Sequence, residues 1–452
     1  MNDESCTVLR AAAQYGIAYL EGLDDRGVAP SPSALARLAE LDRPLNDAPT
    51  PPEDVIRQLD EIGSPATIAS AGGRFFGFVI GGSLPVALAA NWLAGAWDQN
   101  SGLVVIAPIV AKLEDVAAKW MAELFGLPAG CGTGFVTSAT AANFSAMCAA
   151  RRALCARRGW DVESQGLFGA PPIDVIVGDE VHASMLKALG MSGLGRDRVT
   201  RVPTDAQGRM RADLLPALTS NSLVCLQVGN VNTGAIDPIA EVCAAARAAG
   251  AWVHVDAAFG MWAAASPTLR QLVAGIGDAD SWATDAHKWL NVPYDSGVVF
   301  CRDAGALRGA MSSSAAYLVE GAHREPYQYT PDFSRRGRGV EVWAALRALG
   351  KSGVAELVDR SCRHAWRFAA ALEEAGFEIL ADVVLNQVLV GFGDAERTAR
   401  VIAAIQADGT CWCGGTVWHG RPAMRISVSS WATTDDDVER SIDAIVRAAR
   451  AA

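Results

Sequence analysis

Residues 252–289 read WVHVDAAFGMWAAASPTLRQLVAGIGDADSWATDAHKW. Two short apolar runs, 252–255 and 281–284, stop on acidic residues, Asp256 and Asp285, and the second is followed at once by His287 and Lys288. Runs of this length, rich in β-branched and aromatic residues and bounded by glycine or acid, predict buried strands. In an open α/β sheet the ligand site lies beyond the carboxyl ends of the strands, so the residues directly after each run are the ones to examine for chemistry.

Further strand candidates flank this stretch at 173–177, 223–228 and 298–300, with a helical pattern at 239–249. An amphipathic helix over 109–124 is followed by a Gly/Thr/Ser-rich turn and a second helix beginning near Thr140. Alternating helix and strand predicts an α/β domain with a mostly parallel sheet covered on both faces. Beyond a polar, tyrosine-containing stretch at 312–338 come helical patterns at 340–349, 354–374 and 435–449 and strand-like runs at 386–392 and 423–428, a smaller α+β domain. At the other end, residues 8–23 read as an amphipathic helix, and prolines 30, 32, 49, 51 and 52 break the chain into short pieces after it. The expected division is an N-terminal helical segment (1–65), a large α/β domain (66–310), a mobile loop and connecting segment (311–345) and a small C-terminal α+β domain (346–452). The N-terminal segment has no core of its own and is expected to pack on the rest of the chain or on a second subunit.

Of 452 residues, 50% are hydrophobic and 20% charged, enough apolar material for a large core and too much for wholesale disorder. The formal charge of -11 is spread along the chain without a basic stripe, which argues against nucleic-acid binding. No export signal is read in MNDESCTVLR. The uncharged stretch 75–97, FFGFVIGGSLPVALAANWLAGAW, is long enough to span a bilayer, yet Gly81, Gly82, Ser83, Pro85 and Asn91 interrupt it, and it reads as enzyme core. The ten cysteines include Cys148, Cys155 and Cys243 in apolar helical settings, so reduced thiols and a cytoplasmic location are expected. Cys411 and Cys413 flank Trp412 with no partner pair at zinc spacing, and no metal site is expected.

Lys288 follows a strand in a neighbourhood otherwise free of lysine. A lysine in an apolar pocket shifts readily to its neutral, nucleophilic form, which condensation with an aldehyde cofactor demands; alone, it reads more readily as a surface lysine at a strand end. Asp256 sharpens the reading, because a carboxylate ending a buried strand is costly unless it meets a permanent partner such as a protonated pyridine nitrogen. A helix-capping aspartate is the alternative. Ser138, Ala139 and Thr140 precede a helix and could face a phosphate with their backbone N–H groups, although a plain N-cap has the same pattern.

Together these motifs resemble the group II pyridoxal-phosphate-dependent amino-acid decarboxylases, the family of aromatic-amino-acid, histidine and glutamate decarboxylases. The resemblance is carried by HVDAAFG (254–260) and TDAHKWLNVPYDSG (284–297) and extends to RFFGFV (74–79), Lys112-Leu113-Glu114, TSATAAN (137–143), DEVHASMLKALG (179–190), NTGAIDP (232–238), SRRGRG (334–339) and MRISVSSWATT (424–434). It implies an aminotransferase-like fold (type I) and a homodimer with shared active sites. Lys288 would carry pyridoxal 5'-phosphate as a Schiff base, Asp256 would face the ring nitrogen, Ala258 would pack beneath the ring and His182 would stack on its other face. Ala139, Thr140 and His287 would hold the phosphate, with Asn230 and Asp285 lining the same cavity. A loop tyrosine would return the proton, and the segment 317–334 offers Tyr327, which is preferred, or Tyr329.

Phe76, Phe78 and Trp97 would line the substrate pocket and favour an aromatic or bulky side chain; Arg425 would meet a substrate carboxylate, in competition with Arg335, Arg336 and Arg338. Departures from the family pattern at Ser138-Ala139, Asn230-Val231 and the glycine before Arg74 bear on reaction specificity more than on cofactor binding. The expected reaction is therefore decarboxylation of an L-amino acid to the amine. A carbon–carbon lyase or aldolase, an aldehyde-forming oxidative decarboxylase, and more remotely a non-catalytic binding protein, are the alternatives.

Overall fold

The strands around Asp256 and Asp285 belong to one sheet. The computed structural model describes residues 3–313 and 324–452, and among these β1 (Gly132–Val136), β2 (Asp174–Gly178), β3 (Val199–Val202), β4 (Ser222–Gln227), β5 (Trp252–Asp256), β6 (Ser281–Asp285) and β7 (Gly297–Cys301) run in the spatial order β1-β7-β6-β5-β4-β2-β3. The pairs β2/β3, β2/β4, β4/β5 and β5/β6 are parallel, and β7 lies antiparallel to both β6 and β1. β4, β5, β6 and β7 are buried along their length, apart from the half-buried last residue of β4, as strands covered on both faces must be. The helix Ala139–Ala156 contributes Ala142, Ala146, Met147 and Leu154 to a core shared with Val175, Val177, Leu223 and Val299.

Reversal of β7 has a local consequence. Its first residue, Gly297, pairs with both Asp285 and Val136, so the start of β7 shares an edge with the carboxyl ends of β6 and β1. A methyl group at position 297 would lie 2.4 Å from the Ser138 backbone, which only glycine avoids.

By compactness the chain forms two units, Met1–Gly82 with Arg367–Leu380 and Leu389–Ala452, and Ser83–Trp366 with Ala381–Val388. This departs from the sequence division: the N-terminal segment and the residues to Gly82 group with the C-terminal part, and the larger unit runs on to Trp366. In the first unit the RFF element is stitched into the C-terminal part by Phe76 N–H to Trp412 O (2.8 Å), Trp412 N–H to Arg74 O (3.1 Å) and Ser427 N–H to Phe76 O (3.0 Å). The smaller sheet orders β10 (Gly414–Trp418), β11 (Arg421–Ser427), β9 (Gln387–Gly391) and β8 (Glu378–Ile379). Of the uncharged stretch 75–97, only Pro85–Trp97 is a long helix, at 13 residues, and no helix among the described residues is long and apolar enough to cross a membrane.

Candidate active site

β5 delivers Asp256 into the protein interior, 5% exposed. Asn143, four residues into the helix Ala139–Ala156, donates its side-chain amide to Asp256 Oδ2 at 2.9 Å. The amide oxygen of Asn143 lies 2.8 Å from His254 Nε2, His254 Nδ1 lies 2.9 Å from Ser281 Oγ, and Ser281 Oγ accepts Trp252 Nε1–H at 3.0 Å. A carboxylate only accepts, so the Asn143 amide N–H points at Asp256 and its oxygen accepts His254 Nε2–H; in a neutral imidazole Nδ1 then accepts from Ser281, whose oxygen takes the indole N–H. Trp252 donates to Ser281, Ser281 to His254 Nδ1, His254 Nε2–H to Asn143, and Asn143 to Asp256. Burial pushes His254 down to about 3, which keeps the ring neutral, as this chain of bonds requires.

Asp256 itself titrates above the ordinary aspartate range. Burial is the largest cause; His182, the Asn143 amide and Lys288 oppose it, and Asp285 adds to it. A buried carboxylate under that strain is a fitting partner for a permanent N–H⁺, and a protonated pyridine nitrogen is one. His182 caps the helix Ala183–Met191 with its Nδ1, which accepts Ser184 N–H at 3.2 Å and lies 2.7 Å from Ser184 Oγ. In the neutral ring the proton therefore sits on Nε2.

At the end of β6 the residues converge more tightly. Lys288 Nζ is 3.0 Å from Asp285 Oδ2, with the lysine side chain 20% exposed and the aspartate 4%. Asp285 Oδ1 accepts the Ala139 N–H at 2.5 Å. His287 Nε2 is 3.7 Å from Asp285 Oδ2, and its Nδ1 accepts Ser296 N–H at 3.2 Å. Burial holds the His287 imidazole below its usual value against the pull of Asp285, and its ring stacks on Tyr294 with centroids 4.2 Å apart. Ala258, half-buried, gives its carbonyl to the Asp285 N–H at 2.8 Å.

The sheet edge thus gathers Ala139, Thr140, His182, Asp256, Ala258, Asp285, His287 and Lys288 at strand ends or helix starts. Three expectations change in detail. The Ala139 N–H, expected to face a phosphate, is taken by Asp285. Asn230 is buried, and its side-chain oxygen closes its own turn by accepting the N–H groups of Asn232 (2.8 Å) and Thr233 (3.3 Å). The three arginines of SRRGRG face protein carboxylates: Arg335 meets both oxygens of Glu114 at 2.7 and 2.8 Å, Arg336 meets Glu341, and Arg338 meets Asp295 at 2.8 Å.

The expected substrate residues divide between the units. Phe76 is fully buried in the first unit, edge-on to Phe368 at 5.0 Å, and is a core residue there rather than a pocket wall. Phe78, in the same unit, is exposed and stacks on Trp412 at 6.0 Å. Arg425 is a half-buried residue of β11 whose guanidinium burial holds below its usual value. Trp97 ends the helix Pro85–Trp97 in the second unit and is 39% exposed. Tyr327 is only 4% exposed and stacks on Phe333 at 5.2 Å, and Tyr329 lies under the Arg324 guanidinium; part of the expected loop, Tyr317 included, falls outside the described residues.

Asn143 is the functional residue that sequence reasoning misses, although it stands in TSATAAN. A polar amide inside the apolar helical run AANFSAMCAA must find a buried partner, and that is the available signal.

The profile of the "Pyridoxal-dependent decarboxylase conserved domain" matches residues 32–392. Tryptophan decarboxylase 1 of Oryza sativa subsp. japonica is 25% identical over 95% of this chain and 90% of its own length, and phenylacetaldehyde synthase of Arabidopsis thaliana is 24% identical over 88% and 86%. The crystal structure of the Oryza sativa enzyme TDC with PLP and tryptamine superposes with a TM-score of 0.91 at 22% identity, covering 100% of this chain and 98% of that one, which shows that the fold is shared. The chain belongs to the pyridoxal-dependent decarboxylase family and is a pyridoxal-phosphate-dependent amino-acid decarboxylase of the type I fold.

Proposed function

We propose that this decarboxylase converts an L-amino acid with an aromatic or bulky side chain to its amine and carbon dioxide, in the cytoplasm and as a homodimer. The observation that best supports the site is the one-way hydrogen-bond chain that ends on buried Asp256, at the sheet edge that also carries Lys288. Pyridoxal phosphate, when bound, supplies a sink for the electron pair left on the substrate α-carbon as carbon dioxide departs.

The chain's own residues divide the remaining work. Asp256 presents a fixed negative charge to the ring nitrogen, and Asn143 fixes its orientation. His182, with its proton on Nε2, offers a flat ring face and an N–H donor. Lys288 would supply the amine that holds the cofactor. Thr140 and His287 hold the phosphate, Ala258 packs against the ring, and Asn230 shapes the cavity through its turn. Trp97, in the unit that carries Lys288, is the proposed substrate contact. For Tyr327, tight packing supports an anchoring part over proton delivery.

Two further observations support the quaternary state and the location. Trp92, Leu93, Trp97, Val105, Ile106 and Ile109 leave a dense set of exposed apolar side chains within one short stretch, as a surface awaiting a second copy does. All ten cysteines are free thiols, which suits a reducing compartment.

The test is a panel of L-amino acids, aromatic, acidic and basic, incubated with the loaded enzyme and scored together for carbon dioxide, amine and aldehyde. Amine from aromatic substrates is expected, with turnover abolished in Lys288→Ala and nearly kept in Tyr327→Phe. Amine from acidic substrates alone would overturn the substrate class. Aldehyde in place of amine would establish the second reading, which the likeness to a phenylacetaldehyde synthase favours.

A further inference from the structure

Asp285 is fixed on all sides. Its N–H donates to Ala258 O at 2.8 Å and its carbonyl accepts Trp262 Nε1–H at 3.2 Å, so the last residue of β6 cannot swing. Its carboxylate joins two groups that the chemistry needs, the first N–H of the helix Ala139–Ala156 and the Lys288 ammonium. Asp256 also lies within electrostatic reach of Lys288 but is engaged by Asn143, His287 stands 3.7 Å from Asp285, and Tyr294 faces the same carboxylate. Asp285 is therefore the carboxylate in contact with the lysine.

We propose that Asp285 is a positioning residue that docks the Lys288 ammonium beside the helix start and so sets how fast that amine engages an aldehyde. The proposal rests on the pyridoxal-phosphate reading of the site. For capture, the ammonium gives one proton to solvent and leaves the carboxylate; the nitrogen then adds to the aldehyde carbon, a C=N bond forms and one water departs. No oxidant or reductant enters. The 3.0 Å contact with Asp285 must break before the nitrogen can add, so the docked lysine is aimed but restrained, and an aldehyde that cannot occupy the rest of the site gains too little to release it.

Asp285→Asn tests this with little change of shape, because the amide oxygen can still accept the Ala139 N–H. Cofactor-free protein is mixed with pyridoxal 5'-phosphate and, separately, with pyridoxal, which lacks the phosphate; capture is followed by absorbance, and borohydride-fixed adduct on Lys288 is confirmed by peptide mass spectrometry. The variant is expected to capture both aldehydes roughly ten-fold faster, about 1.4 kcal/mol, and Asp285→Glu to restore slow capture. Unchanged rates with pyridoxal would overturn the proposal. So would a gain confined to pyridoxal 5'-phosphate, since the carboxylate would then act by repelling the phosphate. Asp285→Ser serves as a second neutral variant, and failure of both neutral variants to fold would mark Asp285 as purely structural and overturn the proposal as well. Absence of any fixed adduct on Lys288 in the native chain refutes the cofactor site itself, whereas adduct at unchanged rates refutes only the part given to Asp285.

Discussion

Asn143 gives an amide hydrogen to Asp256 and takes one from His254, so one side chain both orients the buried carboxylate and satisfies the imidazole behind it. Asn143→Ala removes both partners at once. Each buried group left unpaired costs about 1–3 kcal/mol, and Asp256 loses the contact that fixes its orientation. A clear fall in melting temperature of the cofactor-free protein is expected, together with at least a ten-fold rise in the dissociation constant for pyridoxal phosphate, read by absorbance titration. Asn143→Asp should be worse on both counts, since it sets a second carboxylate against the first; a variant that melts and binds as the native chain does would remove Asn143 from the site.

Burial raises the Asp256 pKa, and that direction fixes the sign of the stability effect. Between the unfolded value of 3.8 and the higher folded value, the native state holds more protons than the unfolded one, so cofactor-free stability falls as pH rises through that window. Above the window the cost of the buried charge is constant. Asp256→Asn lacks the charge, so its cofactor-free form should melt at or above the native temperature at neutral pH, with the gap closing as the pH drops toward 4. Activity should move the opposite way, falling roughly 100-fold or more as the ring nitrogen loses its counter-charge. Calorimetry across pH, beside kcat, reads both; a variant less stable than the native chain at neutral pH and equal to it in acid would reverse the sign.

Asp256 and Asp285 are legible because an apolar run that stops on a carboxylate carries its own location, and the structure ends β5 and β6 on those residues. β1 is not, and reads as a turn. Its sequence, GTGFV, gives two of five positions to glycine, which weakens the strand pattern, because both are crowded: a methyl group would lie 2.1 Å from Tyr329 O at Gly134 and 2.9 Å from the Ala304 backbone at Gly132. The arginines of SRRGRG illustrate a second limit. Three cations in a polar stretch read as free to meet a substrate, and only folding brings Glu114, 221 residues away, against Arg335. The bond from Asn143 to Asp256 spans 113 residues, a pairing that no local pattern encodes.

Arg335 and Glu114 form a fork-to-fork pair with side chains 2% and 1% exposed, joining the helix Pro108–Phe125 to the segment before the helix Gly339–Glu374. Water cannot rescue either charge if the other is lost. Arg335→Met alone should destabilise the protein by roughly 3–5 kcal/mol, because Glu114 stays buried and unpaired. The double replacement Glu114→Leu with Arg335→Met removes both charges for side chains of similar volume and should recover most of that loss. Melting temperatures of the two single variants and the double variant complete the cycle. Losses that simply add would show that the pair acts through two independent packing contacts and that its charges are already solvated. A double variant that is stable but binds cofactor poorly would instead tie this pair to the Lys288 segment, through the neighbouring Arg338 to Asp295 contact at 2.8 Å.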